Sequence, residues 1–361
     1  MNFKNGLLVF IAGLLVISSC FGVDTRRIDT VRDKGVLDSR DLTEIDRFVS
    51  DSLLEMAGTR ELSEIANIRT AMVSRSGSKS RSAKIQYSEK FNESAYKHLK
   101  VAFTEAGKVE DAQISNAILV NLLIIINDLG DPDLLSLSIP MLDDSREVVR
   151  YWAVQSVSNE RVIGLLNSNK AMGSKLVLRI SDKLSKVIGE LNPYTFRLVG
   201  EFAAGVDYPE GGKLLIRMAD IRIKMYEGWN VRGELFDAEL LKNLFARASG
   251  SDNMSKLMGS RFGQLYSYVI QRYVLGTGKV GQKQQAELIS VMVDIERKCT
   301  SKAMDAPQAG IVRAIKGKDN QALMAEHDKI LGSKTSQGEL PKLMRFDYNG
   351  SKSPKVLSSV K

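Results

Sequence analysis

The sequence predicts an all-α protein, and three observations carry that expectation. Seven prolines in 361 residues is under half the usual ~5% share, so few positions interrupt a helix. Hydrophobic residues make up 43% of the chain and aromatics only 7%, which leaves the core to Leu, Ile, Val, Ala and Met. From Asp41 onward, apolar residues recur at helical spacing almost without a break. At about 150 residues per domain, the length suits two domains or one elongated domain that grows by repetition.

The amino terminus reads as an address. Met1 to Gly6 carries one cation, Lys4, and an apolar run from Leu7 to Ile17 ends in Ser18-Ser19-Cys20. That is the layout of an export signal peptide over residues 1–19. Ile17-Ser18-Ser19-Cys20 also resembles the bacterial lipobox, in which an aliphatic and two small residues precede the cysteine that receives lipid. The resemblance implies Cys20 as the lipid attachment site and first mature residue, with two or more acyl chains holding the protein on a bilayer. Plain secretion and an uncleaved anchor remain as alternatives. Each places the body of the protein outside the cytoplasm, and the lipidated form belongs in the bacterial periplasm or at the outer membrane.

Residues 20–73 form an N-terminal helical segment. Leu42, Ile45, Phe48, Val49, Leu53 and Met56 share one face up to the stop at Gly58, and Leu62, Ile65 and Met72 outline a second helix. Residues 74–84 are Ser-rich and basic without apolar periodicity, the composition of a flexible linker. Arg75, Lys79, Arg81 and Lys84 make this the candidate contact for anionic lipid or polysaccharide. It lacks the interleaved aromatics of a nucleic-acid surface, and nucleic acid is not expected as a partner. A third helix runs from about Ile85 to Ala106 with Tyr96, Leu99 and Phe103 on one side.

Ile114 to Leu129 is apolar nearly all round, as expected of a helix covered on several sides. Asn116, Asn121 and Asn127 interrupt it too often for a membrane span. Next, Leu129-Gly130-Asp131-Pro132 combines a left-handed stop, an N-cap and a proline suited to the first helical position. Leu134, Leu135, Ser138, Ile139 and Leu142 then line a short helix. Asp144 with Glu147 resembles a capping box for a helix whose inner face includes Trp152, Ala153 and Val157.

The segment Leu129-Gly130-Asp131-Pro132, Leu142-Asp143-Asp144, Val149-Arg150 and Ala153 resembles a short HEAT repeat of the kind found in phycobilisome-lyase-like proteins. The resemblance implies an α-solenoid of stacked helical hairpins over residues 85–331. It also implies that Asp144 and Arg150 join one repeat to the next. Degenerate copies follow, including the cap-and-proline pair Asn192-Pro193. Only one copy carries the full pattern, so the solenoid could grade into an irregular helical bundle. Residues 332–361, rich in Ser, Lys and Gly, read as a flexible basic tail.

Chemistry is sparse. Two cysteines and two histidines are too few for a zinc or iron–sulfur site, so no metal, cofactor or catalytic residue is assigned. Cys299 reads as a structural cysteine. Gly276-Thr277-Gly278-Lys279-Val280-Gly281 spells G-x-G-x-x-G but lacks the strand and acidic residue of a dinucleotide site, and is read as a helix-to-helix loop. Trp229, in a Gly-flanked loop, is the candidate partner contact. The net charge of +8 favours anionic neighbours. The expected function is a non-enzymatic scaffold that binds another protein of the cell envelope. The alternative is a lyase or hydrolase working in a groove between helices.

Overall fold

A computed structural model describes residues 24–358, so Cys20 and the signal region lie outside the described residues. The described chain is helical, with no strand among the described residues beyond two isolated bridges, Gly332 to Gln337 and Tyr348 to Ser351. Its described residues divide into two compact units, one up to residue 125 and the other from residue 126.

The first unit contains α1 (Arg26–Arg32), α2 (Ser39–Gly58), α3 (Leu62–Val73) and α4 (Lys84–Ala106). The start of α2 is fixed by a capping box. Asp38 accepts hydrogen bonds from the Arg40 and Asp41 amides, and the Asp41 carboxylate accepts from the Asp38 amide. Ile45, Phe48, Val49, Leu53 and Met56 of α2 are buried where α2 packs on α4. The buried face of α4 is Tyr87, Phe91, Ala95, Leu99 and Ala102 rather than the expected Tyr96, Leu99 and Phe103. Tyr96 is exposed, because the large rings are grouped one turn earlier, with Phe48 and Phe91 centroids 6.4 Å apart.

Residues 74–83 differ from the flexible linker expected of their composition. Arg75 makes a two-pronged pair with Asp29 at 3.0 and 2.9 Å, Lys79 reaches Asp33 at 3.3 Å, and the Tyr87 hydroxyl donates to the Arg75 carbonyl. The Arg75 hydrogen bonds hold the Asp29 carboxyl below its usual range. The basic run is thus a counter-charge for α1. Arg81 and Lys84 are left exposed.

The helix α5 (Ala112–Leu129) spans the boundary between the units. Among the described residues it is the one helix long and apolar enough to cross a membrane, and 56% of it is buried. The Asn residues along it do not stop Ile118, Leu122, Leu123, Ile125 and Ile126 from being buried.

In the second unit Gly130 has φ +57°, Asp131 accepts from the Asp133 amide at 2.9 Å, and Pro132 opens a short 3-10 turn. There follow α6 (Leu135–Ser138), a 3-10 segment (Ile139–Asp143), α7 (Glu147–Val157), α8 (Glu160–Ser168) and α9 (Lys170–Val187). Asp144 does not form the expected capping box. It accepts from the amide and guanidinium of Arg146, and Arg150 donates to its carbonyl at 3.0 Å. Asp144 and Arg150 therefore clamp their own turn. Asp143 reaches α9, where its carboxylate lies 2.5 Å from the Lys183 amine. Trp152 is half-buried rather than in the core, edge-on to Tyr151.

The unit continues with α10 (Pro193–Gly205), α11 (Pro209–Glu227), α12 (Phe236–Arg247), α13 (Asn253–Leu275) and α14 (Gln282–Ile295). A π-helical turn (Glu296–Thr300) leads into α15 (Ser301–Ala303), and α16 (Gly310–Gly317), α17 (Asn320–Leu331) and α18 (Glu339–Leu343) complete it. The packing order alternates: α7, α10, α12 and α14 touch in series, while the Ile139–Asp143 segment, α9, α11 and α13 do the same. Glu296, fully buried, accepts from the Ile311 and Val312 amides and so caps α16. Burial pushes the neighbouring Cys299 thiol up to about 12, which makes it an inert structural residue.

Candidate functional site: the α13 face and the Trp229 loop

The loop from Gly228 to Gly233 joins α11 to α12, and two buried arginines hold it. Arg222 of α11 pairs through two nitrogens with Asp237 at 2.6 and 2.7 Å and donates to the Arg232 carbonyl at 3.0 Å. Arg272 of α13 donates to the Trp229 carbonyl at 3.2 Å and to Glu234 at 3.4 Å. Tyr226 donates its hydroxyl to Asp237 at 2.7 Å; burial first, and then that carboxylate, push its pKa well above the usual phenol value. Burial likewise raises the Glu234 carboxyl. Trp229 is held at φ +58°, and the Arg272 guanidinium lies 5.3 Å from its ring centroid.

Two clefts flank this loop. One, of about 590 Å3, is lined by Trp229, Arg232, Arg272, Lys279, Val280 and Gln284. The G-x-G-x-x-G segment forms one wall of it as the connection between α13 and α14, with Gly278 at φ +79°. The other, of about 310 Å3, is more apolar and is lined among others by Pro193, Phe196, Met225 and Phe236. Within the basic cleft, buried Arg272 Nε has no hydrogen-bond partner.

Residues 332–358 pack against the helices, unlike the flexible tail that their composition suggests. Phe346 and Tyr348 lie against Gly259 and Gly263 of α13, and the Tyr348 hydroxyl donates to the Leu331 carbonyl. A methyl group on Gly259 would sit 2.5 Å from the Phe346 ring and 3.3 Å from its Cβ. Gly259→Ala is therefore expected to cost about 1–3 kcal/mol by overpacking, read as a lowered denaturation midpoint.

After a turn at Asn349 and Gly350, the chain passes along α13. Gln264 accepts from the Lys355 amide at 2.8 Å and donates to its carbonyl at 3.3 Å. Gln271 donates to the same carbonyl at 3.1 Å and accepts from the Leu357 amide at 2.6 Å. Pro354 and Leu357 are buried, whereas Val356 is 72% exposed. The Trp229 indole donates to the Ser358 carbonyl at 2.9 Å. Trp229 is accordingly half-buried, and its partner within the described residues is this chain's own strap.

Beneath the strap lies a relay that sequence spacing could not reveal, since Ser267 and His327 are 60 positions apart. Gln271 donates to Ser267 Oγ at 2.7 Å, Ser267 Oγ lies 2.7 Å from His327 Nε2, and His327 Nδ1 lies 2.8 Å from Asp328. The carboxylate assigns the ring proton to Nδ1, leaving Nε2 to accept from Ser267. The order is hydroxyl, imidazole, carboxylate. Ser267 is fully buried in mid-helix, however, where its own amide is committed to the helix.

Burial lowers the His327 pKa below its ordinary 6.5 despite the opposing pull of Asp328. The folded chain then keeps His327 neutral where the unfolded chain would take a proton. Its contribution to stability is present above pH 6.5 and is lost as pH falls through the folded pKa. Denaturation midpoints of the wild type should drop on acidification below pH 6.5 more steeply than those of His327→Gln.

No family model matches the chain, and no curated protein matches it. Among solved structures, the crystal structure of an engineered protein from the Northeast Structural Genomics Consortium is similar at 10% identity and a TM-score of 0.23. That likeness covers 84% of this chain and 99% of the other.

Proposed function

We propose that this protein is a non-enzymatic interaction scaffold, exported to the bacterial cell envelope and anchored by lipid at Cys20, with its helices stacked as HEAT-like hairpins. The observation that carries the solenoid reading is the alternating series of helix contacts in the second unit, α7–α10–α12–α14 beside α9–α11–α13. Stacking of that kind makes broad continuous faces, and such faces suit protein partners. The Trp229 loop supports a binding role, because an aromatic and two arginines stand together at the mouth of a cleft. Exposed Arg81 and Lys84 support contact with anionic lipid or polysaccharide, whereas Arg75 and Lys79 are spent on α1.

A photo-crosslinking amino acid at Asn230, on the rim of both clefts, tests this in intact cells. The scaffold reading expects a discrete adduct to one envelope protein that is lost in Trp229→Ala. Absence of any adduct larger than the 40.0 kDa chain would overturn it.

The second reading is a hydrolase in a groove between helices, and the Ser267–His327–Asp328 order favours it. Covalent labelling of Ser267 by a serine-directed fluorophosphonate would support that reading over the scaffold.

A further inference from the structure

We infer that the cleft between α11, α13 and residues 348–355 is a binding site for a phosphate monoester on a polyol body, the chemistry of a sugar or inositol phosphate. The inference goes beyond the scaffold reading and does not depend on it. The cleft encloses about 500 Å3, a volume in the range of small-molecule sites. One wall is a charged stripe on α11, where Arg217, Asp220, Lys224 and Glu227 follow at spacings of three, four and three residues and so share a helix face. Arg261 of α13 and Lys355 line the other sides.

Four cations therefore meet two carboxylates around this space, a surplus of two positive charges. Asp220 engages Arg261 through Nε alone, at 2.5 Å, which leaves the two terminal guanidinium nitrogens available. Arg217, Lys224 and Lys355 have no ion pair among the described residues, and Glu227 accepts from the Tyr268 hydroxyl at 3.1 Å. Ser260 provides an independent pointer to a ligand. It lines the same cleft from α13 and is only 5% exposed, yet its hydroxyl has no hydrogen-bond partner among the described residues. Burying a hydroxyl without a partner is unfavourable, and a ligand oxygen in the cleft would remove that cost.

The donors choose among anions. A carboxylate brings one charge and two oxygens, whereas a phosphate monoester brings about −1.5 to −2 and three strong acceptor oxygens. The second set matches the surplus charge, the free fork of Arg261 and the Ser260 hydroxyl together. A phosphate group alone does not fill the cleft. On its remaining side stand Asn349 and Ser353, whose side chains have no hydrogen-bond partner among the described residues and suit the hydroxyls of a polyol. That wall is fixed, because Gln264 holds the amide and carbonyl of Lys355.

Calorimetric titration of the purified full chain with inositol monophosphate, inositol and glucuronate tests this at low salt. Saturable binding of inositol monophosphate is expected, with glucuronate at least about tenfold weaker and inositol weaker still. Ser260→Ala should weaken binding about tenfold, as should Arg217→Gln with Lys224→Gln, whose exposed positions leave the fold intact. Cosedimentation with vesicles carrying phosphatidylinositol monophosphate, against vesicles carrying phosphatidylinositol, separates the two sources of this chemistry. Binding to the phosphorylated vesicles that exceeds binding to the free compound assigns a membrane headgroup, and the reverse order assigns a soluble phosphate. No saturable binding of either phosphorylated probe overturns the inference. So does glucuronate binding as tightly as the phosphate, or binding that both sets of substitutions leave unchanged.

Discussion

Replacing Asp237 with alanine lowers the stability of the second unit by about 3–5 kcal/mol, the range for removing one partner of a buried ion pair. Asp237 is 1% exposed and receives two bonds from Arg222 and one from Tyr226. Without it, a guanidinium 7% exposed and a buried phenol lose their partner in one step. Arg222 also fixes the Arg232 carbonyl, so the loop carrying Trp229 loosens with it. Both tryptophans of the chain lie in this unit, so denaturant unfolding followed by indole fluorescence reads the effect directly. A double variant, Arg222→Met with Asp237→Leu, should recover most of the loss, because an apolar pair needs no counter-charge.

Phe91→Ala carries the largest expected effect in the first unit, about 3–5 kcal/mol for emptying a buried ring site. Phe91 is fully buried and its ring centroid lies 6.4 Å from that of Phe48 and 6.2 Å from that of Tyr87. The cavity would fall between α2 and α4, the helices on which this unit is built. Because the unit holds no tryptophan, faster hydrogen exchange of the α2 and α4 amides is the suitable readout. Tyr96→Ala, five residues along the same helix but on its exposed side, should change stability by no more than about 0.5 kcal/mol.

The contrast between these two aromatic residues shows what could be read without coordinates. Short-range chemistry was legible: Gly130, Asp131 and Pro132 stop and restart the chain as their side chains require, and Asn192 caps the helix that Pro193 opens. The apolar stripe of α2 was legible for the same reason, since period alone identifies its buried face. Composition misled at residues 74–83 and 332–358. A lack of helical period says that a segment does not bury itself, but not that it lacks a partner elsewhere. Arg75 finds Asp29 46 positions away, and Leu357 finds Gln271 86 positions away.

One signal for the strap does exist in the sequence. Ser260, Gln264, Ser267 and Gln271 recur every four, three and four residues, a polar seam on one face of α13. Taken as amphipathicity, the seam points to solvent. All four residues are buried, and Gln264 and Gln271 are covered by polypeptide main chain, whose amides and carbonyls are as polar as water. The Trp229 loop was found through its glycines and indole, but the arginines that hold it lie on helices that sequence gives no reason to pair.

Accurate mass analysis of the mature amino terminus, in wild type and in Cys20→Ala, tests the central claim of an exported and anchored scaffold. The account predicts a wild-type chain that begins at a diacylated Cys20 and sediments with membranes, and an unlipidated Cys20→Ala chain that is released from them. A wild-type chain that retains an unmodified Met1 and remains in the cytosol would contradict it.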